Sequence, residues 1–210
     1  MLEQPLKFLV VFFVVVEPVS LIPLFSGLTS GATPQYKRRM ALKAVVVSAL
    51  ILLLFAVGGA AFLDLMGISL QAFRIFGGLL LFLLSLDMVF ARESGTRTSS
   101  SEAAESKRRA DVSVFPLAFP FIAGPGALAT ILLWFGPLHP GTSPALFAGY
   151  LVAVLVVLAI SLVMMLLAEP LMRVIGVTGA NVAGRLLGVI LGALAVQFVL
   201  DGLRQAFGIG

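Results

Sequence analysis

From Ala44 to Leu63 the chain runs without a charge, AVVVSALILLLFAVGGAAFL, and comparable apolar stretches recur along most of its 210 residues. An α-helix rises 1.5 Å per residue, so about twenty residues cross the ~30 Å hydrocarbon layer of a bilayer. Inside that layer every backbone N–H and C=O must be satisfied by the protein itself. Few folds meet that requirement. With 60% hydrophobic residues, 11% charged residues and a mean hydropathy of +1.13, the chain lies outside the range of soluble domains. The expected fold is an all-α membrane protein with six transmembrane helices at about 6–28, 41–63, 70–90, 114–135, 145–168 and 183–206, within a single polytopic domain, 1–210.

The first run is read as a span and not as a signal peptide. Glu3 offsets Lys7, no small-residue cleavage site follows, and the apolar pattern resumes after Pro23. Absence of cysteine rules out disulfides and thiolate metal sites.

Charge sets the expected orientation. Lys37, Arg38, Arg39, Lys43, Arg92, Arg97, Lys107, Arg108, Arg109, Arg173 and Arg185 fall on one face, against Lys7, Arg74 and Arg204 on the other. The positive-inside rule makes the richer face cytoplasmic and both termini external. The basic balance, pI about 10.0, is then a matter of topology and calls for no nucleic acid, with an anionic-lipid contact at the KRR stretches as the lesser alternative. The mixed-charge stretch TRTSSSEAAESKRR, within a segment at about 92–113, reads as a cytoplasmic linker.

That linker divides the chain into halves of about 1–91 and 114–210, and the halves echo one another. AFRIFGGLLLFLLSL (72–86) aligns with AGRLLGVILGALAVQ (183–197) at an offset of 111, and Pro18 and Pro23 fall on Pro120 and Pro125 at an offset of 102. Three spans per half force the copies into opposite orientations, so the expected arrangement is two inverted three-helix repeats, a plan shared by many secondary transporters.

Two spans are interrupted. VVVEPVSLIPLF (14–25) carries Pro18 and Pro23, and PLAFPFIAGPGALAT (116–130) carries Pro120 and Pro125 with Gly124 and Gly126. Each proline withholds an N–H from the helix, so helices 1 and 4 are expected to be broken. Counting ~15 Å of rise from Lys7 to Glu17 and ~14 Å from Asp111 to Pro120 puts both breaks near the midplane. Half-helices starting near Pro23 and Gly126 would aim amides, the positive ends of their dipoles, at a shared place; such a site suits a zwitterion or a small ion.

Glu17 is the residue that most needs a reason. An ionised side chain near a helix centre costs roughly 2.5–3.5 kcal/mol on insertion scales, so a carboxylate there needs a partner, water or a proton, and is expected to couple or bind. A purely local role at the kink is the plainer alternative. Ser20 either caps the second half-helix or touches a ligand, and Thr130 and Gln197 either line the path or bond within and between helices. Arg74 and Arg185 each read as starting a helix, where they snorkel to the interface, and His139 reads as a loop residue with no second metal ligand nearby. The glycine pairs 58–59 and 77–78 read as close-packing sites.

EPVSLIP, FRIFGGLLLFL, PLAFPFIAGPGA, LMRVIG and GRLLGVILGALAVQFVLDG together resemble the MarC family of prokaryotic multi-spanning membrane proteins, over nearly the whole chain outside the linker. The resemblance implies transport in a prokaryotic cytoplasmic membrane, and one branch of that family is described as carrying small neutral amino acids such as glycine and alanine. The family's first motif is usually aspartate, proline, any residue, glycine, asparagine, any residue, proline; here Glu17, Ser20 and Leu21 replace the aspartate, glycine and asparagine.

The expectation is a secondary transporter of small neutral amino acids by alternating access, with Glu17 holding either the substrate ammonium or a coupling proton, and with Glu17, Ser20, Pro23, Gly124, Gly126, Thr130 and Gln197 at the substrate site and neither metal nor cofactor. Its partners would be a small zwitterion and the bilayer, with self-association open. A channel built on the two breaks is the first alternative and an exporter of another metabolite or drug the second. An enzyme is not expected, because one loop histidine and no cysteine supply no convincing catalytic set.

Overall fold

The computed structural model describes residues 3–90, 111–138 and 143–208; most of the 92–113 linker and His139 lie outside them. The described residues form seven α-helices and one irregular helical segment: α1 (Glu3–Val16), α2 (Leu21–Leu28), α3 (Pro34–Leu65), α4 (Leu70–Val89), the segment Ser113–Ile122, α5 (Pro125–Phe135), α6 (Pro144–Leu166) and α7 (Ala168–Phe207). Four stretches, Pro34–Leu65, Leu70–Val89, Pro144–Leu166 and Thr178–Phe207, are long and apolar enough to span a membrane singly. The pairs α1–α2, bent by 41°, and Ser113–Ile122 with α5, bent by 53°, make six if each pair is one span.

Helix ends depart from the apolar runs where polar residues continue the helix. α3 starts at Pro34, seven residues before the run at 41, because Thr33 caps it by accepting from the Tyr36 amide and Pro34 occupies the first turn, where no N–H is needed. Its 32 residues give ~48 Å of rise, so its basic first turns extend past the hydrocarbon. α7 starts at Ala168, well before 183, and is interrupted only at Gly176, whose φ of +65° and ψ of 175° suit glycine alone. Arg185 therefore lies inside α7, not at a helix start; Arg74 is in the first turns of α4.

α4 and α7 form the most extensive contact in the molecule, and they run antiparallel. A Cβ on Gly78 would lie 2.8 Å from the Ala195 carbonyl oxygen and 2.8 Å from Val199, one on Gly188 would lie 2.8 Å from Met88, and one on Gly202 would lie 2.7 Å from Ile75. Small residues on both helices let the backbones meet, as in membrane helix pairs generally. Gly59 on α3 likewise seats Leu132 and Gly77 on α4 seats Ala129, both on α5, whereas Gly58 faces open space.

Exchanging the two halves preserves part of the pattern of neighbours, although the contacts of α1 with α5 and α7 have no strong counterpart in the second half. α1 packs on α6 as the Ser113–Ile122 segment packs on α3, and α2 packs on α7 as α5 packs on α4. Beside the first of these contacts, Phe8, fully buried, lies 5.3 Å from Phe12, 5.0 Å from Tyr150 and 5.8 Å from Phe135, and the Tyr150 hydroxyl donates to Gln4 at 3.1 Å.

At the basic end two ion pairs join elements distant in sequence: Lys37 of α3 with Glu169 of α7, and Lys43 of α3 with Asp111. Lys43, joined by the Ser113 hydroxyl and amide, holds the Asp111 carboxyl down to about 2 from 3.8. A carboxyl with a depressed folded-state pKa stabilises the fold fully above its unfolded value and loses that contribution as pH falls through the folded one. Thermal stability in detergent should therefore drop between about pH 4 and pH 2, by ~1 kcal/mol or less because both side chains are partly exposed. Asp111→Asn should flatten that part of the profile; an unchanged slope would show that Asp111 does not contribute to it.

Candidate substrate and coupling site

α1 ends because Pro18 has no N–H and Glu17 turns left-handed. The Glu17 amide makes the last α-type bond, to the Phe13 carbonyl at 2.9 Å, and Glu17 then adopts a φ of 53°, the one positive value among the described non-glycine residues. A side-chain-bearing residue in that region costs of order 1–3 kcal/mol, and such residues cluster at functional sites. The chain then closes a tight turn: Ser20, Leu21 and Ile22 donate to the Glu17, Pro18 and Val19 carbonyls at 3.0, 3.3 and 3.2 Å. Pro23 falls in the first turn of α2 and does not itself make the break.

This accounting changes one expectation. Amides at the start of α2 were expected to face a ligand, but those of Ser20, Leu21 and Ile22 are bonded within the turn, and Pro23 has none. Ser20 does not cap α2 with its side chain; its hydroxyl donates to Glu17 Oε1 at 2.5 Å. Glu17 is 2% exposed, and against the same oxygen lies Gly184 of α7, where an added Cβ would stand 3.2 Å from Oε1 and 3.9 Å from Ser20 Oγ. A break in one half thus packs against a helix of the other. Gly184 escaped the sequence reading, because a lone glycine in GRLLG has no periodic or chemical signal that separates it from a packing glycine.

The second break is built differently. From Ser113 to Ile122 the turns are wide, with Leu117 and Ala123 donating five residues back to Val112 and Ala118 at 3.3 and 2.8 Å, and Phe115 and Phe119 are fully extended. The Phe115–Pro116 and Phe119–Pro120 bonds are cis. α5 then starts afresh, Gly124 preceding it and Pro125 at its first position. A Cβ on Gly124 would stand 2.0 Å from the Pro120 carbonyl oxygen, so glycine is required for that approach. The Gly124 carbonyl receives the Leu128 amide at 3.0 Å, which leaves the Gly126 and Ala127 amides at the open end of α5.

The two breaks meet beside Gly126. A Cβ there would lie 3.4 Å from Val15, two residues before Glu17, and 2.8 Å from Leu81 of α4. Against the second break is a void of about 20 Å³ lined by Val15, Leu84, Pro120, Gly124 and Gly126, room for one water and not for an amino acid, and neither Glu17 nor Ser20 lines it. Thr130 is buried in α5 and its hydroxyl donates to the Gly126 carbonyl at 2.9 Å, in the same helix. Gln197 is not brought to this place. It is exposed and donates to Asp201 at 2.8 Å, and it lies thirteen residues, ~20 Å of helix, beyond Gly184.

A larger cavity of about 150 Å³ lies at the far end of α2, among Phe25, Ser26, Thr29, Met165 and Ala168, with the Lys37–Glu169 pair beside it. Among the described residues no three His, Asp or Glu side chains converge into a metal-ligand set.

The model of the family described as MarC family integral membrane protein matches residues 2–207. The chain is 32% identical to UPF0056 membrane protein YhcE of Escherichia coli K12, over 96% of this chain and 92% of that one. It is 33% identical to UPF0056 membrane protein YvbG of Bacillus subtilis 168, over 93% and 92%, and 34% identical to a UPF0056 membrane protein of Aquifex aeolicus, over 91% and 88%. No solved structure matches it significantly.

Contact of Gly184 with the Glu17 carboxylate sets a packing test. Gly184→Val should lower thermal stability in detergent by ~1–3 kcal/mol, the usual cost of overpacking, while Gly184→Ala should be milder. Adding Glu17→Ala should relieve part of the valine cost, since residues in contact couple. Strict additivity in that double-mutant cycle would show that the two do not touch.

Proposed function

The chain belongs to the MarC family of integral membrane proteins, and within it we propose a secondary transporter of small neutral amino acids that works by alternating access, with Glu17 carrying the coupling proton or facing the substrate ammonium. The observation that supports this most is Glu17 itself: a carboxylate buried at a left-handed break in an apolar span, bonded to Ser20 and covered by Gly184 of the opposite half. A carboxylate in such a place is retained against its desolvation cost when it binds or relays charge.

In this reading the halves are inverted repeats, a plan favoured by the antiparallel α4–α7 pair and by the two helix contacts that recur when the halves are exchanged. The Gly126 and Ala127 amides at the start of α5 supply the positive pole for the substrate carboxylate, and Glu17 and the carbonyls of the first break supply the negative one. Ser20 holds the Glu17 side chain in place between proton transfers. With room for one water, the junction is in a closed state, and loading requires the two breaks to separate. The cavity of about 150 Å³ below α2 serves as a vestibule on the basic side, which the positive-inside rule makes cytoplasmic, with both termini outside the cytoplasmic membrane. The role is that of a carrier and not an enzyme.

Counterflow in proteoliposomes tests this. Vesicles preloaded with unlabelled alanine or glycine should transiently accumulate the labelled amino acid above equilibrium, whereas an open pore would only collapse the gradient. An inward proton gradient should drive uptake, and Glu17→Gln, a neutral near-isostere, should reduce that driven uptake by about tenfold or more. Full pH-driven uptake by Glu17→Gln would remove the coupling role; no counterflow by folded protein would remove the cargo.

A further inference from the structure

The basic start of α3 carries four cations within seven residues, Lys37, Arg38, Arg39 and Lys43, and they do not share one task. Lys37 turns toward α7 and pairs with Glu169, and Lys43 pairs with Asp111. Arg38 and Arg39 are exposed. With Gln35, Lys43, Leu42 and Val46 they form the open outer flank of the helix, Arg38 also reaching the cavity below α2. Below them the exposed face of α3 is wholly apolar: Leu42, Val46, Leu50 and Leu54 follow at intervals of four residues, all turned away from the protein core.

We propose that this flank of α3 is a specific site for one anionic phospholipid, its phosphate held by Arg38 and Arg39 and an acyl chain lying along Leu42, Val46 and Leu50. A positive-inside signal needs cations at this end of the helix but sets no requirement on which side of it they stand. Two arginines at the head of the lipid-facing stripe are what a phosphodiester requires, because the planar guanidinium offers paired donors that match phosphate oxygens. The length agrees. Arg38 to Leu50 is twelve residues, ~18 Å of rise, close to the ~15 Å depth of one leaflet. A second copy of the chain is a poorer occupant, since parallel two-fold packing on this face would bring the same arginines together.

The site is independent of the transport reading and is tested without it. Purified protein in mild detergent, titrated with phosphatidylglycerol or phosphatidylcholine and observed intact by native mass spectrometry, should retain a first phosphatidylglycerol at concentrations where phosphatidylcholine is lost. Arg38→Gln with Arg39→Gln should weaken that retention by about thirtyfold, following the usual contribution of each of two basic residues at an anionic surface. Arg38→Lys with Arg39→Lys, which keeps the charge, should lose less, and Arg74→Gln with Arg204→Gln, at the opposite end, should change nothing. Equal retention of the two lipids, or undiminished phosphatidylglycerol on the glutamine variant, would overturn the proposal. So would a glutamine variant that shifts only the monomer–dimer ratio with lipid retention intact, which would make the face a self-association surface.

Discussion

Backbone hydrogen bonding governs this molecule, because lipid offers no substitute for a lost partner. Both interrupted spans obey the rule in different ways. At the first break three amides fold back into a tight turn, and the Glu17 carboxyl group beside it accepts the Ser20 hydroxyl. At the second, wide turns carry the chain past two prolines and a new helix is started by Gly124 and Pro125. The turning points of both breaks are inside: Glu17 and Pro18, and Gly124 and Gly126, are buried, while Val114 and Phe119 of the second segment reach the surface. Irregular backbone is thus placed where the other half of the protein covers it.

Covering the breaks requires helices that approach closely, and glycine provides the approach. Along the α4–α7 seam, Gly78, Gly188 and Gly202 remove the side chains that would hold the helices apart. The same face of α7 continues to Gly184, where what approaches is a carboxylate and not a helix. One small-residue stripe therefore serves two purposes, a structural seam over most of its length and the lid of a buried charge at one end. At the opposite edge of α3, the ion pairs of Lys37 and Lys43 bind the start of α7 and the entry to the second interrupted span to one rigid helix.

Spans were legible because a bilayer imposes a length and an apolar composition, and the runs at 70–90 and 145–168 match Leu70–Val89 and Pro144–Leu166 closely. Polar extensions were less legible: α3 and α7 begin in charged sequence that composition assigns to loops, although Thr33-Pro34 is a helix-start signature visible in the chain. The prolines located the breaks but not their geometry. Pro23 turned out to sit harmlessly in a first turn, because a proline there withholds an N–H that no helix would use, and the amides credited to it are bonded elsewhere. Glu17 stood out by chemistry alone, whereas Gly184 became meaningful only once folding placed it against Oε1. Gln197 looked deep by residue count, but depth along a helix says nothing about which side faces the protein.

The two breaks are alike in position and unlike in chemistry, and that inequality matters more than the likeness. The first half contributes the carboxylate and bonds its own turn amides, and the second contributes no ionisable group between Ser113 and Phe135 but places Gly126 and Ala127 at an open helix start. Two like poles, whether carboxylates or dipole ends, would repel if brought together in one bundle, so dividing the negative and the positive pole between the halves is what lets both be buried.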